Sequence, residues 1–284
     1  MKRVFWLSVI LCLFPLSLWA ETAEEKGLAI AQEADRRDQG WGDSTSDMLM
    51  ILRNKQGEEV IESSHNPIAR LMLMILRNIQ GEESTRVIRN QTLEVQSDGD
   101  KGVGVFDDPA DVKGTVQLTY SHKQGPDDQW LYLPALKRVK RIAAEDKSGS
   151  FMGSEFAYED ISSQEVEKYT YKYLRDEVLS GQDCFVIERD PVAEYSGYKR
   201  QVAWIDKAEY RVLKVEYYDR KDSLLKTLTF SGYVKYLDKY WRSAEMFMEN
   251  HQTGKSTLLK WSNYKFRVGL TDADFTQESL KRTR

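Results

Sequence analysis

Lys199-Arg200-Gln201-Val202-Ala203-Trp204-Ile205-Asp206 and Arg211-Val212-Leu213-Lys214-Val215-Glu216-Tyr217-Tyr218-Asp219, separated by a connection that begins Asp-Lys, decide the fold class. Each run is short, rich in β-branched and aromatic residues, and bounded by polar turn formers, which is the signature of a strand. The same texture extends in both directions. Further runs occupy 224–237, 240–251 and 256–268, joined by Arg-Lys-Asp and Thr-Gly-Lys connections. Upstream, Thr115 to Ser121 alternates Val116 and Leu118 with polar partners, and Tyr169, Tyr171 and Tyr173 share one face. Ser180-Gly181-Gln182-Asp183 reads as a hairpin turn into Cys184-Phe185-Val186-Ile187. Short strands linked in sequence by tight turns predict a mainly β fold, an antiparallel meander curling toward a barrel or half-barrel.

Two helical signals frame it. Thr22 and Glu25 form a capping-box pattern, and Leu28, Ala31 and Ala34 recur opposite Glu33, Arg36 and Arg37, so a helix is expected over 23–38, ending at Gly40-Trp41-Gly42-Asp43. A weaker capping pattern from Asp274 to Gln277 predicts a short terminal helix.

The first twenty residues read as a cleaved secretory signal: Lys2 and Arg3, an apolar run from Val4 to Leu18, then Ala20 before Glu21-Thr22. The run is shorter than the ~20 residues of a spanning helix. Residues 21–284 then form one periplasmic domain. Taking Lys2 and Arg3 from the 41 basic residues leaves 39 against 45 acidic, a net charge near −6 that argues against a nucleic-acid partner. Of two cysteines, Cys12 lies in the signal, so Cys184 has no partner for an intrachain disulfide and stability must come from a core.

One repeat stands out. Leu49 to Glu59 recurs at Leu73 to Glu83 with Ile79 replacing Lys55 as the sole change among eleven residues. A solenoid needs at least three units, so a tandem duplication adding a hairpin is expected, ahead of an extra edge for β-augmentation.

Catalytic patterns are sparse. His65, His122 and His251 are far apart, and the sequence contains no HExxH, CxxC, Gly-x-Ser-x-Gly or phosphate-cradling glycine loop. No metal or cofactor is expected. A Ser-His-Asp triad assembled in space, and with it a lipid hydrolase, stays open at this level. The apolar inventory says more. Met48, Met50 and Leu52 alternate, as do Met72, Met74 and Leu76, Met246 and Met248, Trp130 and Tyr132, Val202 and Trp204, and Leu213, Val215 and Tyr217. Methionine adapts to flexible ligands, and a curved sheet has one concave face. The expected lining is therefore Met50, Met74, Trp130, Tyr132, Trp204, Met246 and Met248, with Phe151, Met152 and Phe156 on a mobile apolar lid over 151–160. Leu133 to Ile142 reads equally as helix or strand, and its Lys137, Arg138, Lys140 and Arg141 would meet headgroups or a partner.

Trp130-Leu-Tyr-Leu-Pro-Ala-Leu-Lys-Arg-Val-Lys-Arg-Ile142 and Phe151-Met-Gly-Ser-Glu-Phe-Ala-Tyr-Glu-Asp160 resemble the outer-membrane lipoprotein-sorting protein family of the LolA-like superfamily. Val215-Glu-Tyr-Tyr-Asp219, Met248-Glu-Asn-His-Gln-Thr-Gly254 and Asp272-Ala-Asp-Phe275 are similar to it too, so the resemblance spans roughly 22–282. It implies an unclosed, strongly curved antiparallel β-barrel with helices filling its mouth. It also implies a carrier of lipid or lipoprotein acyl chains in transient membrane contact, with an inner-membrane exporter of the resistance-nodulation-division type as partner. A lipid-sensing accessory domain of such an exporter is the alternative.

Overall fold

In the computed structural model, which describes residues 21–54 and 83–281, Thr22 caps α1 (Ala23–Asp38) as its spacing from Glu25 requires. The Thr22 hydroxyl accepts from the Glu25 amide at 3.1 Å and the Glu25 carboxylate accepts from the Thr22 amide at 2.9 Å. Strands follow: β1 (Asp43–Arg53), β2 (Glu83–Leu93), β3 (Lys101–Asp108), β4 (Val116–Tyr120), β5 (Asp128–Leu133), β6 (Arg138–Ile142) and β7 (Tyr169–Leu179). The second half contributes β8 (Gln182–Pro191), β9 (Tyr198–Asp206), β10 (Val212–Asp219), β11 (Leu224–Ser231), β12 (Val234–Tyr236), β13 (Tyr240–Arg242), β14 (Glu245–Asn250) and β15 (Ser256–Phe266).

Thirteen of these strands make one antiparallel sheet in the order β6-β5-β4-β3-β2-β1-β15-β14-β11-β10-β9-β8-β7. The meander is broken only where β1 meets β15 and where β11 meets β14. β6 and β7 form the two edges and, among the described residues, do not pair with each other, so the barrel is open, as expected. The turn after β7 is two residues long, with Ser180 and Gly181 both at positive φ, the geometry that matches strand twist in a tight hairpin. Two expected runs are split. Gly232, at φ +63, follows β11, and β12 and β13 pair with each other as a separate ribbon. The ambiguous stretch after Trp130 is β5, a turn with Lys137 at φ +50, and β6, not a helix. The expected terminal helix is reduced to single 3-10 turns at Asp272–Phe275 and Ser279–Lys281.

The main core lies inside the curve, where Met50, Ile88, Phe106, Ile187, Val215, Leu228, Met248 and Leu259 are buried together with Ile30 of α1. Helix α1 can approach β7 this closely because residue 27 is glycine. A Cβ there would sit 2.7 Å from the Tyr173 amide nitrogen and 2.8 Å from the Lys172 carbonyl carbon. Gly27→Val should therefore lift the helix and lower stability by about 1–3 kcal/mol. A thermal melt checks this; an unchanged midpoint would show that α1 has room to shift.

Candidate functional site

Cross-strand pairing builds the inner face rung by rung. Ile187 lies opposite Ala203, Ala203 opposite Val215, Val215 opposite Leu228, and Leu228 opposite Met248. A neighbouring rung runs Phe230–Met246–Leu259–Met50, and a third runs Trp261–Met48–Ile88–Phe106. Over this floor stand two cavities of about 830 Å³ and 430 Å³. They share Asp38, Trp41, Asp100, Asp160, Ser163 and Met246, so they are two lobes of one interior space. The first lobe has an apolar floor that includes Ile187, Ile205, Val215, Leu228 and Phe230. The second is bounded by β1–β4, Phe151, Phe156 and Trp261.

The gap between β6 and β7 is spanned by residues 143–168, which enter the curve as a plug. Phe151 and Phe156 are buried in the main core, with the Phe151 ring centroid 6.0 Å from Phe106 and 5.6 Å from Tyr158. The plug is anchored by a buried ion pair: Lys226 Nζ of β11 donates to Asp160 Oδ2 at 2.7 Å and to the Glu155 carbonyl at 2.9 Å. Tyr198 donates its hydroxyl to the same carboxylate at 3.0 Å, and the Ala157 amide donates at 2.7 Å. Glu159 accepts from the Ser196 hydroxyl and the Gly197 amide, both at 2.8 Å. This segment is a pinned part of the core rather than an apolar lid lying over it.

The expected lining is corrected in several places. Met246 lines both lobes. Met50 and Met248 do face inward, but both are fully buried in the core that the plug packs against, and they line neither lobe. Met152 is half-buried against that core, and Phe151 and Phe156 line the second lobe. Trp130 and Tyr132 are on the outer face. They lie opposite Leu118 and Val116, in a cluster closed by Phe275 and Leu280 of the C-terminal turns. Trp204 is also outside, packed with Cys184, Val186, Val202 and Leu213, its indole donating to Glu177 at 3.0 Å. The inward residues of those strands are Gln129 and Ala203 instead. Leu213 and Val215 alternate in sequence yet fall on opposite faces, because a bulge between Val212 and Lys214 shifts the parity. Lys137, Arg138, Lys140 and Arg141 are exposed on the β5–β6 turn and outer edge, with Arg141 paired to Asp128. Met74 and His65 lie outside the described residues, as do residues 1–20 and all but Glu83 of the second repeat copy; Leu49 to Arg53 of the first copy belong to β1.

Sequence reasoning missed Lys226 and the acidic mouth. Lys226 shares the inward parity of Leu228 and Phe230, and a lysine on an apolar parity signals a buried counter-ion. At the mouth, burial pushes Asp100 up to about 6; burial and then the charge of Asp100 push Glu165 up to about 7. Asp35 and Asp38 are also raised, chiefly by burial, and Glu94 adds repulsion. The facing cations are Arg242, bound to Asp38 at 2.6 Å, Lys168, bound to Asp127 at 2.8 Å, and Lys123, whose Nζ donates to the Gln96 carbonyl at 2.9 Å. For acids whose folded pKa is raised, the native state holds more protons than the unfolded one, so stability falls as pH rises from the ordinary carboxylate values of 3.8 and 4.5 through about 6 and 7. The melting midpoint should be higher at pH 5 than at pH 8, and Asp100→Asn with Glu165→Gln should flatten that slope. A slope unchanged in the double variant would place its origin elsewhere.

Acid–base chemistry finds little support here. His122 is held between Asp98 at 2.7 Å and Asp128 at 3.5 Å, and His251 contacts the Thr227 hydroxyl at 2.7 Å. Neither of these histidines bonds a serine, and among the described residues no cluster of His, Cys, Asp and Glu has a metal-holding arrangement.

A family model described only as "Uncharacterized protein" matches residues 98–282. An outer membrane lipoprotein-sorting protein domain of Vibrio parahaemolyticus is 56% identical, with 91% of this chain and 100% of that one covered and a TM-score of 0.81. A DUF1329 family protein of Desulfovibrio piger is 32% identical over 91% of this chain and 99% of its own, with a TM-score of 0.77. A LolA superfamily protein of Nitrosomonas europaea, at 19% identity, covers 92% of this chain and 100% of its own with a TM-score of 0.64, and shows the shared fold. No curated protein matches. The chain belongs to the outer-membrane lipoprotein-sorting protein family, and it shares its fold with the LolA superfamily protein.

Proposed function

We propose that this protein is a non-enzymatic periplasmic carrier that holds an acyl chain of a lipid or lipoprotein in its first lobe and passes it toward the outer membrane. The observation that carries the reading is the continuous apolar floor under an interior space of about 830 Å³, within the ~300–1,000 Å³ typical of small-molecule sites. Each methylene removed from water contributes ~0.8 kcal/mol, so a ~16-carbon chain gains ~12 kcal/mol from such shelter. Among the described residues no helix is long and apolar enough to cross a membrane, and export rests on the reading of residues 1–20. The geometry of His122 and His251, the described histidines, favours carriage over hydrolysis.

Transfer of a pyrene-labelled fatty acid between two vesicle populations tests the role. Acceleration proportional to protein concentration is expected; a rate equal to spontaneous exchange would reject it. The exposed cations at 137–141 fit contact with an exporter of the resistance-nodulation-division type or with anionic headgroups. Reversing all four charges should abolish capture of such an exporter while leaving fatty-acid binding in place; undiminished capture would exclude this edge.

A further inference from the structure

The second lobe differs from the first in chemistry, and the difference is written in two consecutive rungs of the sheet. Ser46 lies opposite Asn90, Asn90 opposite Gly104, and Gly104 opposite Gln117. In the next rung Ser44 faces Thr92, Thr92 faces Gly102, and Gly102 faces Thr119. All eight residues line the 430 Å³ lobe. They are not a wet rim: Ser44, Ser46, Gln117 and Thr119 are all buried. Burying polar side chains costs free energy unless hydrogen bonds are made; within the rungs those bonds are long, Asn90 to the Ile88 carbonyl at 3.5 Å and Gln117 to the Thr119 hydroxyl at 3.3 Å, while Ser46 bonds Tyr264.

Two further features mark this as a place for a ligand. Trp261 lines the lobe opposite Met48, and its indole Nε1 is enclosed by protein without a hydrogen-bond partner among the described residues. Such orphaned donors are rare and call for an acceptor. Gly102 leaves open space where its Cβ would stand, with nothing within 4 Å. Any side chain would project into the lobe at that point.

Charge narrows the choice. Both cations on the lobe are already neutralised, Arg242 by Asp38 at 2.6 Å and Lys101 by Asp272 at 2.6 Å. Asp100 faces the same space without a cationic partner among the described ion pairs. A phosphate would find repulsion there and no uncommitted positive charge among the described residues.

We propose that the second lobe is a head-group site for a neutral, oxygen-rich amphiphile, whose hydroxyls and ester carbonyls meet the Ser-Asn-Thr-Gln rungs and Trp261 Nε1. The proposal rests on the carrier reading and assigns its cargo class: the chain lies in the first lobe and the uncharged head in the second.

The test is competitive loading of the full chain from vesicles, read by native mass spectrometry. Four probes with the same acyl chains are compared: palmitic acid, dipalmitoylglycerol, its monoglucosyl derivative and dipalmitoyl-phosphatidylglycerol. Either neutral glyceride should be retained at least about tenfold over the phosphatidylglycerol. The ratio of the two neutral lipids then assigns the oxygens to a sugar or to the glyceryl esters. Trp261→Phe should weaken neutral-lipid retention by about five- to tenfold, as loss of one hydrogen bond does. Gly102→Leu should erase the preference while palmitic acid still loads, which also shows that the variant is folded. Equal retention of phosphatidylglycerol, or a preference untouched by both variants, overturns the head-group site and leaves the carrier role standing. Failure of all four probes to load overturns both.

Discussion

Lys226→Ala should lower the unfolding free energy by about 3–5 kcal/mol, the usual consequence of leaving one partner of a buried ion pair alone. The Lys226 and Asp160 side chains are only 5% and 4% exposed, and their contact at 2.7 Å joins the plug to β11. Without the ammonium, the Asp160 carboxylate would keep neutral donors from Tyr198 and Ala157 but lose its countercharge while still buried. The Glu155 carbonyl would lose its donor at the same time. Replacing both partners, as in Lys226→Met with Asp160→Asn, should cost less than the sum of the single changes, with a coupling of about 1–3 kcal/mol. Urea denaturation reads this directly as a lower midpoint with an unchanged slope. A midpoint within error of the parent would mean that the plug is held by its aromatic packing alone.

Met246→Glu should have the largest effect on binding. This side chain lies where the two lobes meet, opposite Phe230 on one strand and Leu259 on the other. A carboxylate there must either hydrate the junction or take up a proton, and in both cases the chain loses its apolar path. Losing shelter for three or four methylenes removes ~3 kcal/mol, which is on the order of a hundredfold in affinity. The fold should survive, because Met246 is half-buried rather than sealed. A fluorescent fatty acid titrated against parent and variant checks both halves: fatty-acid affinity near that of the parent would show that the acyl chain does not rest against Met246.

The strand content, the capping box of α1, the tight turn at Ser180-Gly181 and the open barrel were all legible, because each depends on local chemistry or on the family strings. Which face of each strand points inward was not. Period-two alternation groups Trp130 with Tyr132, and Val202 with Trp204, but it does not say which side of the sheet holds the interior. Large aromatics pull the eye toward a core, whereas here Trp130 and Tyr132 pack under Phe275 and Leu280 on the outside. The inward partners are small or polar: Ala203, Gln129, Gly102 and Gly104. The bulge at Leu213 breaks parity within a run that looks regular. Lys226 was the readable clue that passed unread, since a cation among Leu228 and Phe230 has to meet a buried carboxylate, and only the fold brings Asp160 to it.

Native mass spectrometry of the protein released from cell envelopes without detergent tests the central claim most directly. The account predicts a population carrying one bound lipid, displaced by added fatty acid and lost in Met246→Glu. The bare polypeptide mass in every preparation, together with no uptake of a fluorescent fatty acid, would contradict it.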